Sequence, residues 1–285
     1  MERLSGARRP RAYRVAASPA KMHDMPLVAI THMPSPRMND AVRTFIDVHA
    51  IDLDLAALQH EEYRRVLERA GAEVVVLDAN IDHADAVFIE DTAVVLDELA
   101  ILTSMGAPSR RDEPRAIEPE LLRHRSTIAR ITAPATLEGG DVLRVGRTLF
   151  VGVTARTNVA GVAALRAIAS SVGYSVRAVA VDGCLHLKTA CTALPDGTML
   201  LNPRWVDARD LSGCDVLHVA EGEPDAANVA LVGGRVLMGA AHPRTTELIR
   251  ARGFEVDVID LSEFAKAEGC VTCLSILVPS AGTEG

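Results

Sequence analysis

Four times along this chain, two short β-like runs joined by a tight turn lead into a helix-like stretch and then another short strand, and this ββαβ period limits the fold more than any single motif. One copy reads "TAVVLDELAILT", "EPRAIEPELLRHRS" and the run at Ile128. The next reads "DVLRVGRTLFVGV", "TNVAGVAALRAIASSVG" and "SVRAVAV". A third runs from "HLKTACTALPDGTMLL" through the segment around Trp205 to "DVLHVA", and a fourth from "NVALVGGRVLMG" through "PRTTELIRARG" to "FEVDVID". The strand at Leu27, a helix and "AEVVVLD" make a fifth, looser copy. Asp196-Gly197, Gly233-Gly234 and Val145-Gly146-Arg147 supply hairpin turns, and Gly71, Gly173 and Gly253 stand where helices end on a left-handed residue. In the first helix the spacing assigns Leu55, Leu58, Tyr63, Val66, Leu67 and Ala70 to one apolar stripe. A single unit cannot bury both its sheet face and its helix stripe, so the units must pack around a common axis. The expected fold is therefore α/β, a closed five-unit ββαβ propeller with polar strand ends gathered at its centre.

The chain has 285 residues, 48% of them apolar, which is enough for a full core. Its net charge of −8 argues against a nucleic-acid partner, and its apolar runs are far shorter than the roughly 20 residues that span a bilayer. Five cysteines without a secretory apolar stretch or a paired spacing fit a reducing cytoplasm. The opening "MERLSGARRPRAYRVAASPAKMHDM" is rich in Arg, Ala, Ser and Pro and has no periodicity. Its composition resembles a transit peptide, but the expectation is a disordered extension over 1–25, or an early start codon ahead of Met22 or Met25. Residues 26–279 are expected to form one propeller domain, with 280–285 a flexible tail.

Some residues break the apolar pattern in ways that point to chemistry. "DAVFIEDTAVV" sets Asp85, Glu90 and Asp91 beside an apolar strand, where carboxylates cost free energy unless a cation or donors meet them; a solvated turn or structural ion pair is the bland alternative. "TLEGGDVL" places Glu138 before a glycine pair that permits close backbone approach or positive φ, though Gly-Gly-Asp is also an ordinary turn. "DGCLHLKTAC" carries His186 among apolar residues on what reads as a strand, where a satisfied core histidine is the common case.

"EGCVTCLSILV" holds Cys270 and Cys273. A dithiol redox pair sits at a helix N-terminus, and the β-branched run here continues into no helix. Structural zinc needs a second pair of ligands at matching spacing, and Cys184 with Cys191 or His186 does not provide it. On a regular strand the two cysteines face opposite sides, so one can be packed while the other faces a site.

In combination and in this order, "VFIEDTAVV", "GAPSRR", "LEGGDVL", "VGVTARTN", "DGCLHLKT" and "EGCVTCLS" resemble the dimethylarginine dimethylaminohydrolases of the guanidino-group-modifying (pentein) superfamily. The resemblance runs from about Asp85 to Val278. It implies a five-unit propeller and hydrolysis of Nω-methylated arginines to citrulline through a covalent cysteine intermediate. It further implies Cys273 as nucleophile, His186 as general acid and base, and Glu138 as its carboxylate partner. Glu90 and Asp91 are implied to bind guanidinium with Asp85 as a further contact, Arg110 and Arg156 to meet the substrate carboxylate, and Glu268 to be an additional contact. Cys270 is left as a bystander. No cofactor is implied, and zinc enters only as an inhibitor at Cys273 and His186. The expected partner is a small guanidino compound, and a homodimer is left open.

An arginine deiminase-like hydrolase is the alternative within the superfamily, although such enzymes usually carry an added helical domain for which this chain has no spare block. A non-catalytic propeller that only binds is the alternative outside it, and it has no need of all five of Cys273, His186, Glu138, Glu90 and Asp91. A mobile lid over the site is expected in "THMPSPRMND".

Overall fold

A computed structural model describes residues 27–279. The extension expected over 1–25 and the tail over 280–285 lie outside the described residues. In chain order the elements are β1 (Leu27–His32), α1 (Leu53–Arg69) and β2 (Ala72–Leu77), followed by β3 (Ala93–Val95), β4 (Ala100–Leu102), α2 (Glu113–His124) and β5 (Ile128–Arg130). Next come β6 (Val142–Val145), β7 (Thr148–Val153), α3 (Val159–Ser170) and β8 (Ser175–Ala180). The fourth set is α4 (Leu187–Ala190), β9 (Cys191–Ala193), β10 (Met199–Leu201) and β11 (Val216–His218). The last comprises β12 (Val229–Val232), β13 (Arg235–Gly239), α5 (Pro243–Arg250), β14 (Val256–Ile259), α6 (Ser262–Ala265) and β15 (Ser275–Pro279).

These strands form five three-stranded sheets, each with one antiparallel and one parallel pairing about its middle strand. The four regular repeats fall where the sequence places them. The looser fifth is completed from the other end of the chain: β15 pairs antiparallel with β1, Leu27 opposite Pro279, while β2 pairs parallel on the other side. Apolar clusters join neighbouring units. Val28, Ile30, Ile276 and Val278 pack with Leu102, Ile117 and Leu121, so the ring is held at its seams as well as within its sheets.

Helix α1 shows how the local code works. Asp52 caps it by accepting from the backbone N–H of Asp54 (3.1 Å) and Leu55 (3.0 Å), and Gly71 ends it at φ 92°. Its buried face is Ala56, Gln59, His60, Tyr63, Val66 and Leu67, whereas Leu55 and Leu58 are 38% and 63% exposed. The expected stripe is thus correct from Tyr63 onward and wrong at its start. Gln59 takes the inward position because its amide donates to Asp260 (2.9 Å) and Ser262 (2.8 Å) while its oxygen accepts from the Glu263 N–H (3.1 Å). A fully satisfied amide is tolerated on the buried face that was expected to carry Leu55 and Leu58. Further along, the Tyr63 hydroxyl reaches the Val271 carbonyl (2.9 Å) and the Ser275 hydroxyl (2.8 Å), which ties this helix to the cysteine segment.

Candidate active site

The site is built from one position repeated five times. Just before the first strand of each unit the chain makes a short helical or hydrogen-bonded turn: Ile89–Thr92 before β3, Gly139–Asp141 before β6, Leu187–Ala190 before β9, Pro224–Ala227 before β12, and the Cys270 to Cys273 turn before β15. Glu90 and Asp91, Glu138 and Asp141, His186, Asn228 and Cys273 therefore come together although they are scattered along the chain. His186 caps α4 and is not on a strand, which corrects the reading of "CLHL" as a β segment.

His186 Nε2 lies 2.8 Å from Glu138 Oε2, and both residues are buried. The other Glu138 oxygen accepts from the backbone N–H of Gly106 (2.9 Å) and Ala107 (3.3 Å), with Arg156 Nη1 at 3.5 Å. Asp91 Oδ1 accepts from the Gly140 N–H (3.0 Å) and stands 3.8 Å from His186 Nδ1, while its Oδ2 pairs with Arg110 Nη1 at 2.7 Å. Burial opposes the imidazolium, but the surrounding carboxylates of Asp91, Asp141 and Glu138 overcome it and raise His186 to about 10. Burial also opposes the Glu138 carboxylate, yet the His186 hydrogen bond and charge, with Arg110 and Arg156, hold it at about 2. Burial pushes Asp141 up to about 6 despite His186 and donors that include Leu187 N–H (2.9 Å) and Thr154 Oγ1 (2.8 Å).

The glycine pair before Asp141 serves close approach. A Cβ on Gly139 would meet the Glu90 carbonyl, and one on Gly140 would lie 2.6 Å from His186 Nδ1 and 2.8 Å from Asp91 Oδ1. Neither glycine has positive φ.

Cys273 does not lie on a regular strand. β15 starts only at Ser275, and the Cys273 N–H donates to the Cys270 carbonyl (3.2 Å) while the Cys270 N–H points at Cys273 Sγ (3.5 Å). The expectation that the two cysteines face opposite sides therefore fails, because a turn curls them together. The Cys270 side chain beside it, burial, and the charges of Glu90 and Asp91 all push the Cys273 thiol well above its ordinary value. The residues on either side of the peptide fix this turn. Thr272 Oγ1 donates to Glu90 Oε2 (2.8 Å), and Asn228 grips Thr272 at both its N–H (3.1 Å) and hydroxyl (3.0 Å).

A narrow cleft is lined by Val42, Asp85, Phe88, Asp91, Arg110, Arg156, Leu185, His186, Ala267, Glu268 and Cys273. Seven of the nine expected site residues line this cleft directly, and Glu138 lies behind His186. Glu90 is not among the lining residues: Lys188 Nζ pairs with its Oε1 at 2.6 Å and Thr272 occupies its Oε2. Arg110 lines the cleft with its donors engaged, held by Glu113 Oε2 (3.0 and 2.9 Å) and Oε1 (3.2 Å), by Asp91 and by the Phe88 carbonyl (2.9 Å). Arg156 is less committed, with contacts of 3.5 Å to Glu138 and 3.4 Å to Thr44 Oγ1.

The cover over the cleft lies just beyond the expected lid. Met38 is fully buried, and the covering stretch runs from Val42 to Phe45. Val42 N–H donates to Asp85 (3.2 Å), and Glu268 accepts from the N–H groups of Thr44 (2.6 Å) and Phe45 (2.8 Å). Glu268 adopts φ 60°, an uncommon conformation for a residue with a Cβ, in making this latch. Lys188, Asn228 and Glu113 are the supporting residues that sequence reasoning missed. For Lys188 the available signal was a lone cation in the apolar "CLHLKTA"; Asn228 and Glu113 gave none.

Asp91, Glu138 and His186 bring donor atoms within 4.8 Å of one another, a spacing that could suit a metal ion. Their lone pairs are already used by backbone N–H groups, by each other and by Arg110, so the set reads as a hydrogen-bonded relay.

Comparison with known proteins places this geometry. Residues 33–191 match the family model described as N,N dimethylarginine dimethylhydrolase, eukaryotic. The chain is 40% identical over 249 residues to the N(G),N(G)-dimethylarginine dimethylaminohydrolase of Streptomyces coelicolor, covering 87% of this chain and 95% of that one. It is 35% identical to the Pseudomonas aeruginosa protein of the same name, covering 79% and 89%. A solved structure of the Pseudomonas aeruginosa enzyme, a cysteine-to-serine mutant complexed with citrulline, superposes with a TM-score of 0.85 at 32% identity over 89% of this chain and 99% of that one. The N-terminal domain of ArgZ, a cyanobacterial arginine dihydrolase, shares the fold at TM-score 0.80 and 21% identity, over 89% of this chain and 98% of that one. With the five-unit ring, the acid-lined cleft and relatives matched over nearly their whole length, the chain belongs to the dimethylarginine dimethylaminohydrolase family.

Proposed function

We propose that this protein hydrolyses Nω-methylated arginines to citrulline and dimethylamine or methylamine, with Cys273 as nucleophile. The observation that carries the reading is a thiol opening onto a cleft lined by carboxylates, beside an imidazole that Asp91, Asp141 and Glu138 hold cationic. The relatives' names give the substrate class, and one of them is bound to citrulline.

A guanidinium is resonance-stabilised and a poor electrophile, so it must be gripped and kept charged until it is attacked. Asp91 and Asp85 supply negative charge at the cleft wall, and Arg156 has donor capacity to spare for a substrate carboxylate. Arg110 acts one step back by fixing Asp91, Glu90 fixes the Thr272-Cys273 peptide, and Glu268 holds the cover. Cys273 is a neutral thiol at rest. An arriving cation offsets the Glu90 and Asp91 charges that disfavour the thiolate, so the substrate itself helps release the thiol proton to solvent. The sulfur then adds to the guanidinium carbon. His186 gives its proton to the departing amine as the C–N bond breaks, leaving a thiouronium on Cys273. The now neutral imidazole takes a proton from water, hydroxide adds to the same carbon, and the C–S bond breaks to free citrulline.

Purified protein given dimethylarginine, monomethylarginine and arginine should release citrulline and the matching amine from the methylated substrates. Citrulline from arginine alone would place the chain with the deiminases. Because the resting thiol is protonated, kcat/KM should climb with pH across the neutral range and turn over as His186 loses its proton near 10. A flat profile between about pH 6 and 8 would mean that the thiolate is already formed without substrate. Gly140→Ala, which drives a methyl into the imidazole, should lower kcat/KM by about 100-fold or more through misplacement of His186. Activity within a few-fold of wild type would show that the ring can move without penalty.

A further inference from the structure

We propose that Cys270 and Cys273 are an oxidation site, closing to a reversible disulfide under hydroperoxide and switching the enzyme off. The hydrogen bond from the Cys273 N–H to the Cys270 carbonyl makes residues 270–273 a β-turn. The ends of such a turn have Cα atoms within about 7 Å, and disulfides span roughly 4.4–6.8 Å. The Cys270 N–H already points at Cys273 Sγ at 3.5 Å, so the sulfur of one cysteine lies against the backbone of the other. Both cysteines are partly exposed, so a small oxidant can reach them. The two central residues are anchored from outside the turn, Val271 through its carbonyl to Tyr63 and Thr272 to Glu90 and Asn228. The backbone is thus held in a bridgeable form whether or not the sulfurs are joined. The other three cysteines pack in a separate cluster and offer no competing partner.

The chemistry balances with the peroxide as sole oxidant. One sulfur attacks a peroxide oxygen, the O–O bond breaks, and a sulfenic acid and water result. The neighbouring thiol then attacks the sulfenic sulfur, the S–O bond breaks, and the second oxygen leaves as water with the thiol proton. The two thiols lose two electrons together and the peroxide becomes two waters. Whichever sulfur is ionised at that moment reacts first, and both routes end in the same bond. The disulfide removes the nucleophile but protects it, because sulfenic acid that finds no thiol proceeds to irreversible sulfinic acid. The loss of activity rests on Cys273 being the attacking group, whereas the disulfide itself does not.

The test treats wild type and Cys270→Ser with hydrogen peroxide, assays citrulline release before and after dithiothreitol, and weighs the tryptic peptide that begins at Ala267. That peptide carries both cysteines and no later Lys or Arg. In wild type the peptide should lose two hydrogens, and activity should fall by at least about tenfold and return on reduction. Cys270→Ser, with no thiol to trap the sulfenic acid, should gain two oxygens on Cys273 as the sulfinic acid and should not recover. Sulfinic acid on Cys273 in wild type beside a free Cys270, or equal recovery of the two proteins, would overturn the proposal. If neither protein hydrolyses methylarginine, the function assignment fails while the peptide mass still decides the disulfide.

Discussion

Cys273→Ser should lower citrulline release from dimethylarginine by about 10⁴-fold or more in kcat/KM, the scale seen when a nucleophile is removed from a catalytic unit. A serine hydroxyl fits the space, but it is far harder to ionise than a thiol, and this cleft offers no neutral base to draw off its proton because His186 stays cationic to about 10. The turn should persist, since its hydrogen bond runs between the backbone of Cys273 and Cys270. The variant should therefore melt close to wild type and still bind substrate. Activity within tenfold of wild type in a folded variant would remove the sulfur from the mechanism.

Glu138→Gln should cost roughly 10²–10⁴-fold in kcat, the usual range for disabling a general acid and base, and should change the pH profile in a specific direction. An amide can keep the Gly106 and Ala107 hydrogen bonds but not the charge that faces His186 at 2.8 Å. The imidazolium then loses a stabilising neighbour, and the alkaline limb should move to lower pH. Stability follows the same linkage. Glu138 is held below its ordinary value, so its contribution is present above about 4.5 and is lost as pH falls toward 2; His186 is raised, so its contribution is present below 6.5 and is lost as pH rises toward 10. Wild type should exceed the variant in melting temperature most between these values, and the gap should narrow on both sides. A constant gap, or an unmoved alkaline limb, would show that Glu138 does not hold the proton on His186.

The repeat was legible in the sequence because the turns, helix ends and strand lengths recur in order, and four of the five units fall where those signals place them. The fifth was only half visible, since its remaining strand lies at the far end of the chain and sequence proximity gives no hint of the pairing with β1. At the site, Glu138, His186 and Cys273 stood out through their motifs. The Gly-Gly pair permitted either positive φ or close backbone approach, and the contacts with Glu90, His186 and Asp91 show the second. The surroundings of Glu90 and Arg110 were harder to read. A carboxylate that faces substrate and one that faces Lys188 look the same in a string of letters, and the difference depends on which way a turn presents consecutive side chains. The cysteine pair misled for a related reason: a β-branched, apolar stretch suggests a strand, but its first residues are spent on a turn held by Tyr63, Glu90 and Asn228 from three other parts of the ring.

Because β15 completes the sheet begun by β1, the contact that closes the ring joins the earliest described strand to the latest. Among the described residues, a ribosome releases Cys273 only after the four regular units have emerged. A chain cut before the Cys270 to Cys273 turn can assemble its middle sheets but lacks both the seam and that thiol, so such a truncation should yield inert fragments rather than a deregulated enzyme.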